Sequence, residues 1–296
     1  MELGACFPTN EIGTDTTAIR DWAQAAEDLG YDLIEVYDHV LSADPSDAPD
    51  RQGRAERRGY YTSTTDWHEP MVLMGYLAAI TTRPRFLTGI LVLPQRQTVL
   101  VAKQAAEVDI LSGGRLMLGI GTGWSDVEYR GLGLGDEFRA RGRRSEEQIA
   151  LMRRLWTEPL MSFEGEFDSV PESAIAPRPA RSIPVWIGGH APAVLDRVGR
   201  IADGWVVGWA RADYLPGAIE QVHEAARAAG RDPAEIGIET RARVARWTPE
   251  QQAQHARRCE EAGATHFSLH TLEGGLTSVQ QHIDALRDFR EAFGAG

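Results

Sequence analysis

Two residues suited to proton transfer stand at the end of an apolar segment in the first quarter of this chain. Asp38 and His39 directly follow residues 33–37, whose composition is typical of a buried strand. Histidine titrates near neutral pH, so it can donate a proton or orient a substrate, and an adjacent aspartate can set its charge or anchor a cofactor. We interpret His39 as the candidate catalytic residue. A capping aspartate beside a hydrogen-bonded structural histidine is the alternative.

Two glycine-rich turns follow other apolar segments, and backbone N–H groups in such turns can approach a bound anion or ring closely. Their residues are Gly121, Thr122, Gly123 and Trp124 in the first turn, and Gly188, Gly189 and His190 in the second. The first turn has the spacing G-x-G-x-G, which differs from the dinucleotide-binding pattern G-x-G-x-x-G, so a Rossmann site is not expected. Two tight turns with nothing bound are the alternative.

Metal and hydrolytic chemistry find less support in the sequence. His266 and His270 lie four residues apart on a predicted strand and hence on one face, but neither belongs to a recognised ligand pattern. The chain has no G-x-S-x-G nucleophile elbow, P-loop or H-E-x-x-H sequence. Cys6 and Cys259 are isolated, which disfavours a disulfide framework or a zinc site. We expect no metal.

The charge of the chain limits its partners. A formal net charge of −12 over 296 residues disfavours nucleic acid and anionic membranes, and no segment approaches the roughly 20 apolar residues that span a bilayer. The first residues lack a basic, apolar leader pattern, so we expect a cytoplasmic protein acting on a small molecule. Lys103 is the only lysine. A bound anion is therefore expected to meet arginine, whose planar guanidinium holds carboxylate or phosphate in bidentate fashion.

Short apolar segments alternate with longer amphipathic ones, which is typical of parallel strands surrounded by helices. The predicted strands are residues 3–7, 33–37, 86–91, 116–120, 184–187, 205–208, 236–244 and 266–269. The predicted helices are residues 16–29, 70–80, 99–111, 145–156, 192–201, 213–229, 249–262 and 278–293. An open doubly wound sheet would alternate similarly, but the count of eight favours an α/β fold of the closed (β/α)8 TIM-barrel type.

Two segments interrupt this alternation. Residues 41–67, after the second strand, and 158–182, after the fourth, are polar excursions, and we expect a single barrel domain over residues 1–296. Loops after the strands of a parallel barrel converge on one rim. The candidate residues named above therefore meet at the carboxyl ends of the strands.

The motifs together resemble a known family. They are Asp38-His39-Val40, His68-Glu69-Pro70, TGILVLPQR, AKQAAEVDILSGGRLMLGIGTGW, FRARGRR, IPVWIGGH and Ala202-Asp203-Gly204-Trp205. In this order, over about the first two thirds of the chain, they resemble the luciferase-like superfamily of flavin and F420 oxidoreductases, and its F420-dependent branch in particular.

The resemblance implies a redox ring at the carboxyl mouth of the barrel. It places Asp38 and His39 beside the ring and substrate, and it implies a bulge with a non-proline cis peptide at Gly89-Ile90 under one ring face. The two glycine turns, 121–123 and 188–190, would meet the ring edge or the phosphate-bearing tail. Arg141 would face that tail; for the neighbouring arginines, ion pairing at a solvated helix start is the alternative.

The resemblance also bears on cofactor and substrate. FMN-binding members often carry a tyrosine beside the matched arginine, where this chain has Gly142, so coenzyme F420 is expected and FMN is the alternative. The sugar-phosphate dehydrogenase branch has a glutamate after its GTG, where this chain has Trp124. We therefore expect hydride transfer between F420 and an apolar or aromatic molecule under a lid containing Tyr60, Tyr61 and Trp67. Packing of these aromatic side chains onto the barrel rim is the alternative.

Two other functions remain open at this point. One is an FMN-dependent monooxygenase of the same fold, and the other is a cofactor-binding protein without turnover. By analogy with the family we expect a homodimer, with a flavin or F420 reductase as functional partner.

Overall fold

The computed structural model describes residues 1–42 and 63–295, and its main sheet is a closed parallel barrel. Its strands are β1 (Glu2–Cys6), β2 (Leu33–Val36), β3 (Arg85–Thr88), β4 (Leu91–Val92), β5 (Leu116–Gly121), β6 (Met161–Glu164), β7 (Ser169–Ser173), β8 (Val185–Gly188), β9 (Gly204–Gly208), β10 (Gly237–Arg243) and β11 (His266–His270). The barrel closes because β3 pairs with both β2 and β5. The predicted eight-stranded TIM barrel is confirmed, with β3 and β4 together forming its third strand.

Helices cover the outside of the barrel. They are α1 (Thr16–Asp28), α2 (Pro70–Ile80), α3 (Thr98–Leu111), α4 (Asp126–Gly131), α5 (Arg141–Thr157), α6 (Pro192–Ile201), α7 (Leu215–Ala228), α8 (Pro249–Glu261) and α9 (Val279–Gly294). Caps explain several starts: Asp15 accepts from Thr17 N–H, and Thr248 forms a capping box with Gln251. The short α4 was not predicted. None of the described helices is long and apolar enough to cross a membrane.

Apolar side chains fill both the space between sheet and helices and the barrel interior. Trp22, Trp156 and Trp205 are fully buried in the outer layer, where each aromatic ring contributes a few kcal/mol of burial free energy. Inside the barrel a second cluster of Leu33, Leu87, Met117, Trp186 and Val206 supports the side chain of Ile90. The interior is therefore packed beneath the mouth, which leaves the mouth itself as the place for a ligand.

The third barrel strand is interrupted, whereas the sequence pattern predicted it as continuous over residues 86–91. The Gly89–Ile90 peptide bond is cis, as the family resemblance implied, and it separates β3 from β4. Gly89 N–H still donates to Val36 O of β2 at 2.7 Å, but the strand β4 that follows pairs with β5 and not with β2. A side chain at Gly89 would overlap the carboxyl group of Glu35, so only glycine fits.

The excursion at residues 158–182 contains an antiparallel hairpin of β6 and β7. Glu147 on α5 holds its turn by accepting the N–H groups of Glu166, Phe167 and Asp168 at 2.6–2.8 Å. Most of the other excursion, including Tyr60 and Tyr61, lies outside the described residues. Within the predicted lid, the structure describes residues 41–42 and 63–67.

Candidate active site

A cavity of about 280 Å³ opens at the carboxyl mouth of the barrel. This volume lies near the lower end of those of small-molecule sites. Six of the residues proposed from sequence line it together: Asp38, His39, Gly89, Ile90, Gly123 and Trp124. The predicted convergence of the second, third and fourth strand ends is thus observed, while the roles of these residues toward a ligand stay predictions.

His39 is paired with a glutamate that the sequence analysis did not single out. The Nδ1 atom of His39 lies 3.2 Å from Oε1 of Glu128, which also accepts Val40 N–H at 3.0 Å. Burial raises the pKa of the Glu128 carboxyl, but hydrogen bonds from His39, Val40 and Gln95 outweigh burial, and the pKa falls below its usual value. Glu128 is therefore ionised at neutral pH.

An ionised carboxylate only accepts hydrogen bonds, so Nδ1 of His39 carries a proton. Glu128 thereby fixes the tautomer and the orientation of the imidazole ring. Two indole rings flank the imidazole, with centroid distances of 4.8 Å to Trp67 and 6.1 Å to Trp124. An imidazole ring held in this way can act as a general acid or base.

Asp38 lines the same cavity, yet its carboxylate is engaged by the protein. Its Oδ2 accepts Val92 N–H at 2.9 Å, and its Oδ1 accepts from Arg96 at 2.7 Å. Arg96 in turn contacts Glu69 at 3.0 Å. Burial raises the pKa of Asp38 above its usual value, against the lowering effects of Arg96 and Val92 N–H. Asp38 therefore fixes the position of β4 beside the cavity.

Two of the predicted glycines shape the cavity floor indirectly. A Cβ atom at Gly121 would lie 2.5 Å from Cδ1 of Ile90, and one at Gly188 would lie 2.7 Å from its Cγ2. Both glycines therefore make room for Ile90, which forms the apolar floor. At Gly123 the backbone has φ +65°, a conformation that favours glycine.

The remaining predicted residues lie outside the lining of this cavity. Thr122 O accepts the hydroxyl of Tyr129 at 2.8 Å, and Gly189 O accepts the indole N–H of Trp205 at 2.8 Å. His190 packs near Trp205 and Tyr214, and burial lowers its pKa.

Arg141 also lies outside the lining. Its guanidinium stacks 4.1 Å from the Phe138 ring and donates to Phe138 O at 2.6 Å. Contacts of Arg141 and of the turn at 188–190 with a cofactor tail stay predictions.

A buried charge network lies at the base of the cavity, and sequence reasoning missed it. Arg241 is ion-paired with both Glu35 and Glu239, and it donates to the Tyr37 hydroxyl at 3.0 Å. Burial and the nearby Glu239 raise the pKa of Glu35 to about 8, although Arg241 opposes them. Two carboxylates face one guanidinium, so one proton neutralises the cluster. The alternating GIETRAR pattern, which places residues 239, 241 and 243 on one face, was the available signal.

The two histidines of β11 occupy opposite ends of that strand. His270 lines the cavity, whereas His266 lies at the amino end, 3.2 Å from Glu2. A shared site for the two is excluded by this separation. In residues 1–42 and 63–295 no group of three or more His, Cys, Asp or Glu side chains has a metal-holding arrangement.

A family model described as luciferase-like monooxygenase matches residues 1–293. The chain belongs to the luciferase-like monooxygenase family. An uncharacterized protein of Mycobacterium tuberculosis is 37% identical over 238 residues, covering 78% of this chain and 80% of that protein. An F420-dependent glucose-6-phosphate dehydrogenase of Nakamurella multipartita is 32% identical over 199 residues, covering 67% of this chain and 53% of the dehydrogenase.

Solved structures share the fold at low identity. An F420-dependent secondary alcohol dehydrogenase, in complex with an F420-acetone adduct, matches with a TM-score of 0.76 and 18% identity over 99% of this chain and 98% of that one. A monooxygenase from Streptomyces bottropensis matches with a TM-score of 0.75 and 19% identity over 100% and 99% of the two chains. An F420-dependent dehydrogenase and a monooxygenase therefore share this barrel fold with the chain.

Proposed function

We propose that this protein is an F420-dependent oxidoreductase that transfers a hydride between coenzyme F420 and a small apolar or aromatic organic molecule. The observation that carries the proposal is the hydrogen-bonded His39–Glu128 pair, which lines a cavity at the barrel mouth together with several aromatic side chains. The F420-dependent glucose-6-phosphate dehydrogenase supports it as a relative at 32% identity.

The cavity fits the ring of such a cofactor. Ile90 gives an apolar floor, and Trp124 gives an aromatic wall. When bound, F420 supplies a carbon centre that gives or takes a hydride and reacts poorly with oxygen. The chain itself then has to bind and orient the substrate, exclude water, and accept or donate one proton.

His39 exchanges that proton with the substrate. Glu128 holds the proton on Nδ1, so Nε2 accepts a proton from the substrate in the oxidative direction and returns it in the reductive direction. Asp38 keeps the wall between β2 and β4 in place through Val92 and Arg96, and it takes no part in proton transfer.

Spectral titration of the purified protein with F420 and with FMN tests the proposal. We expect F420 to bind with a perturbed absorption band and FMN to bind weakly or not at all. A His39→Asn variant should keep F420 affinity and lose turnover, because the side chain serves proton transfer. Tight FMN binding without F420 binding would overturn the assignment.

An FMN-dependent monooxygenase is the second candidate. It is supported by the fold shared with the Streptomyces bottropensis monooxygenase and by a pyrimidine monooxygenase of Allorhizobium ampelinum at 31% identity over 59% of this chain. Substrate-dependent oxygen consumption with reduced FMN distinguishes it from the F420 reaction. A cofactor-binding protein without turnover would bind F420 and show no His39-dependent reaction.

For the partners, we propose a homodimer that receives its reduced cofactor from a separate reductase, by analogy with the family. Light scattering coupled to size-exclusion chromatography measures the first, and copurification of a reductase activity bears on the second.

A further inference from the structure

The wall of the cavity opposite His39 and Glu128 has no role in the function proposed above. Around the barrel the order is β1, β2, β3 with β4, β5, β8, β9, β10 and β11. Trp209 follows β9. This strand lies opposite β2, the strand that precedes His39. His270 ends β11, which lies opposite β5, the strand that precedes Glu128. The cavity therefore has two chemically distinct walls.

His270 supplies the first sign of a ligand on this second wall. Its side chain lines the cavity and is 5% exposed, and its Nδ1 atom is buried without a hydrogen-bond partner. A buried polar atom without a partner costs about 1–3 kcal/mol. Burial, with Arg241 and Arg243 nearby, lowers the pKa of His270 well below its usual value. The imidazole is therefore neutral at pH 7 and carries one N–H donor.

Trp209 and Arg243 supply the second sign. The guanidinium of Arg243 lies 4.0 Å from the Trp209 ring centroid, and His270 meets the same ring edge-on at 4.8 Å. Trp209 is 39% exposed, a large apolar surface at a cavity wall. Arg243 is held by Glu273 at 3.1 Å, and Glu11 accepts Glu273 N–H at 2.7 Å. The wall thus combines a flat aromatic surface with donors for an oxygen atom.

We propose, on the basis of the function proposed above, that Trp209, Arg243 and His270 form the substrate subsite for a planar α,β-unsaturated carbonyl compound. Its π system lies against Trp209, and its carbonyl oxygen faces Arg243 and His270. The conjugated carbons then extend toward His39 across the cavity. Arg243 and His270 donate hydrogen bonds on one side of the cavity, and His39 can donate a proton on the other side. This separation fits a substrate in which the carbonyl oxygen and the carbon that receives the proton lie some distance apart.

The reaction balances as the reduction of a carbon–carbon double bond. With reduced F420 bound as the hydride source, the β-carbon would gain a hydride as the C=C π bond breaks, and the electron pair would move onto the carbonyl oxygen as an enolate. Arg243 and the His270 N–H stabilise this negative charge. His39 then gives a proton to the α-carbon, and the C=O bond re-forms. The substrate gains two electrons and two hydrogens, as a hydride that reduced F420 would supply and a proton from His39.

Calorimetric titration in the presence of oxidised F420 tests the subsite without turnover. The probes are cinnamaldehyde and trans-β-methylstyrene, which share a planar skeleton and differ in the carbonyl oxygen. We expect wild-type protein to favour the aldehyde by about tenfold or more. His270→Phe and Arg243→Met should each weaken aldehyde binding about tenfold and leave methylstyrene binding nearly unchanged. Trp209→Ala should weaken both probes.

The matched control is His266→Phe, at the other end of β11, which should keep the aldehyde preference. F420 affinity, measured by absorbance, should be the same in all variants. If F420 fails to bind wild-type protein, the proposed function itself is wrong. If F420 binds but the aldehyde preference survives in both His270→Phe and Arg243→Met, the subsite is wrong and the proposed function stands. Formation of cinnamyl alcohol in place of the saturated aldehyde would also overturn the subsite.

Discussion

Glu35 makes the stability of this barrel depend on pH in an unusual direction. The carboxyl lies inside the barrel against Arg241 and accepts from Cys6 Sγ at 3.2 Å, and its pKa is raised to about 8. Between the usual glutamate pKa of about 4.3 and this value, the folded state keeps a proton that the unfolded chain has lost. The Glu35 contribution therefore destabilises the fold as pH rises through that window.

The size of the effect follows from the proton count. One proton bound only by the folded state changes the free energy of unfolding by about 1.4 kcal/mol per pH unit. Glu35→Gln places a neutral side chain of the same shape at this position and still offers an oxygen to Arg241. We expect the variant to gain about 1.4 kcal/mol per pH unit relative to wild type between about pH 5 and 8.

Urea denaturation at half-unit steps from pH 5 to 8.5, followed by circular dichroism, measures this difference. The exposed Glu224→Gln is the control, and its stability should run parallel to that of wild type. Parallel profiles for Glu35→Gln and wild type would mean that Glu35 has the same ionisation in both states, which would refute the reasoning.

Three further changes have defined outcomes. Glu128→Gln should lower kcat about 100-fold with F420 affinity unchanged, because the His39 ring loses the carboxylate that fixes its tautomer and orientation; steady-state kinetics alongside F420 titration measure both. Arg115→Met should lower the free energy of unfolding in urea by about 3 kcal/mol, since this guanidinium donates five hydrogen bonds at the amino end of the barrel. His266 has a pKa lowered to about 4, first by burial and then by Arg85, so its contribution to stability is lost as pH falls from about 6.5 toward 4. His266→Gln should reduce the pH slope of stability there by up to about 1.4 kcal/mol per unit, measured by the same denaturation series extended down to pH 4.

The barrel could be predicted from sequence because each strand and helix carries its own local pattern. The alternation of short apolar and longer amphipathic segments gave all eight barrel strands, with ends close to those observed. The short α4 escaped because six residues hold too little periodicity to be recognised. The interruption at Gly89 leaves no mark in the hydrophobic pattern, since FLTGILV is apolar on both sides of it.

Only one wall of the candidate site could be predicted. Asp38, His39 and the turn at Gly123 stand in recognisable motifs, and they do line the cavity. Glu128 and His270 come from segments that reach the cavity only after the barrel closes, so their places in its lining are a tertiary property. Ser125 and Glu128 also fit an ordinary helix-start pattern, and Ser125 does cap α4, which hid the second role of the glutamate.

The interruption of the third strand leaves β4, at the cavity, without strand pairing on the β2 side. The inner half of the strand, β3, pairs with both β2 and β5, whereas the outer half, β4, pairs with β5. On the β2 side, Asp38 connects to β4 by accepting hydrogen bonds from Val92 and Arg96. A different residue at position 38 would let the outer half move without disturbing the eight-stranded frame. We therefore expect the width of the cavity to depend on this one side-chain bridge, while the rest of the barrel keeps its geometry.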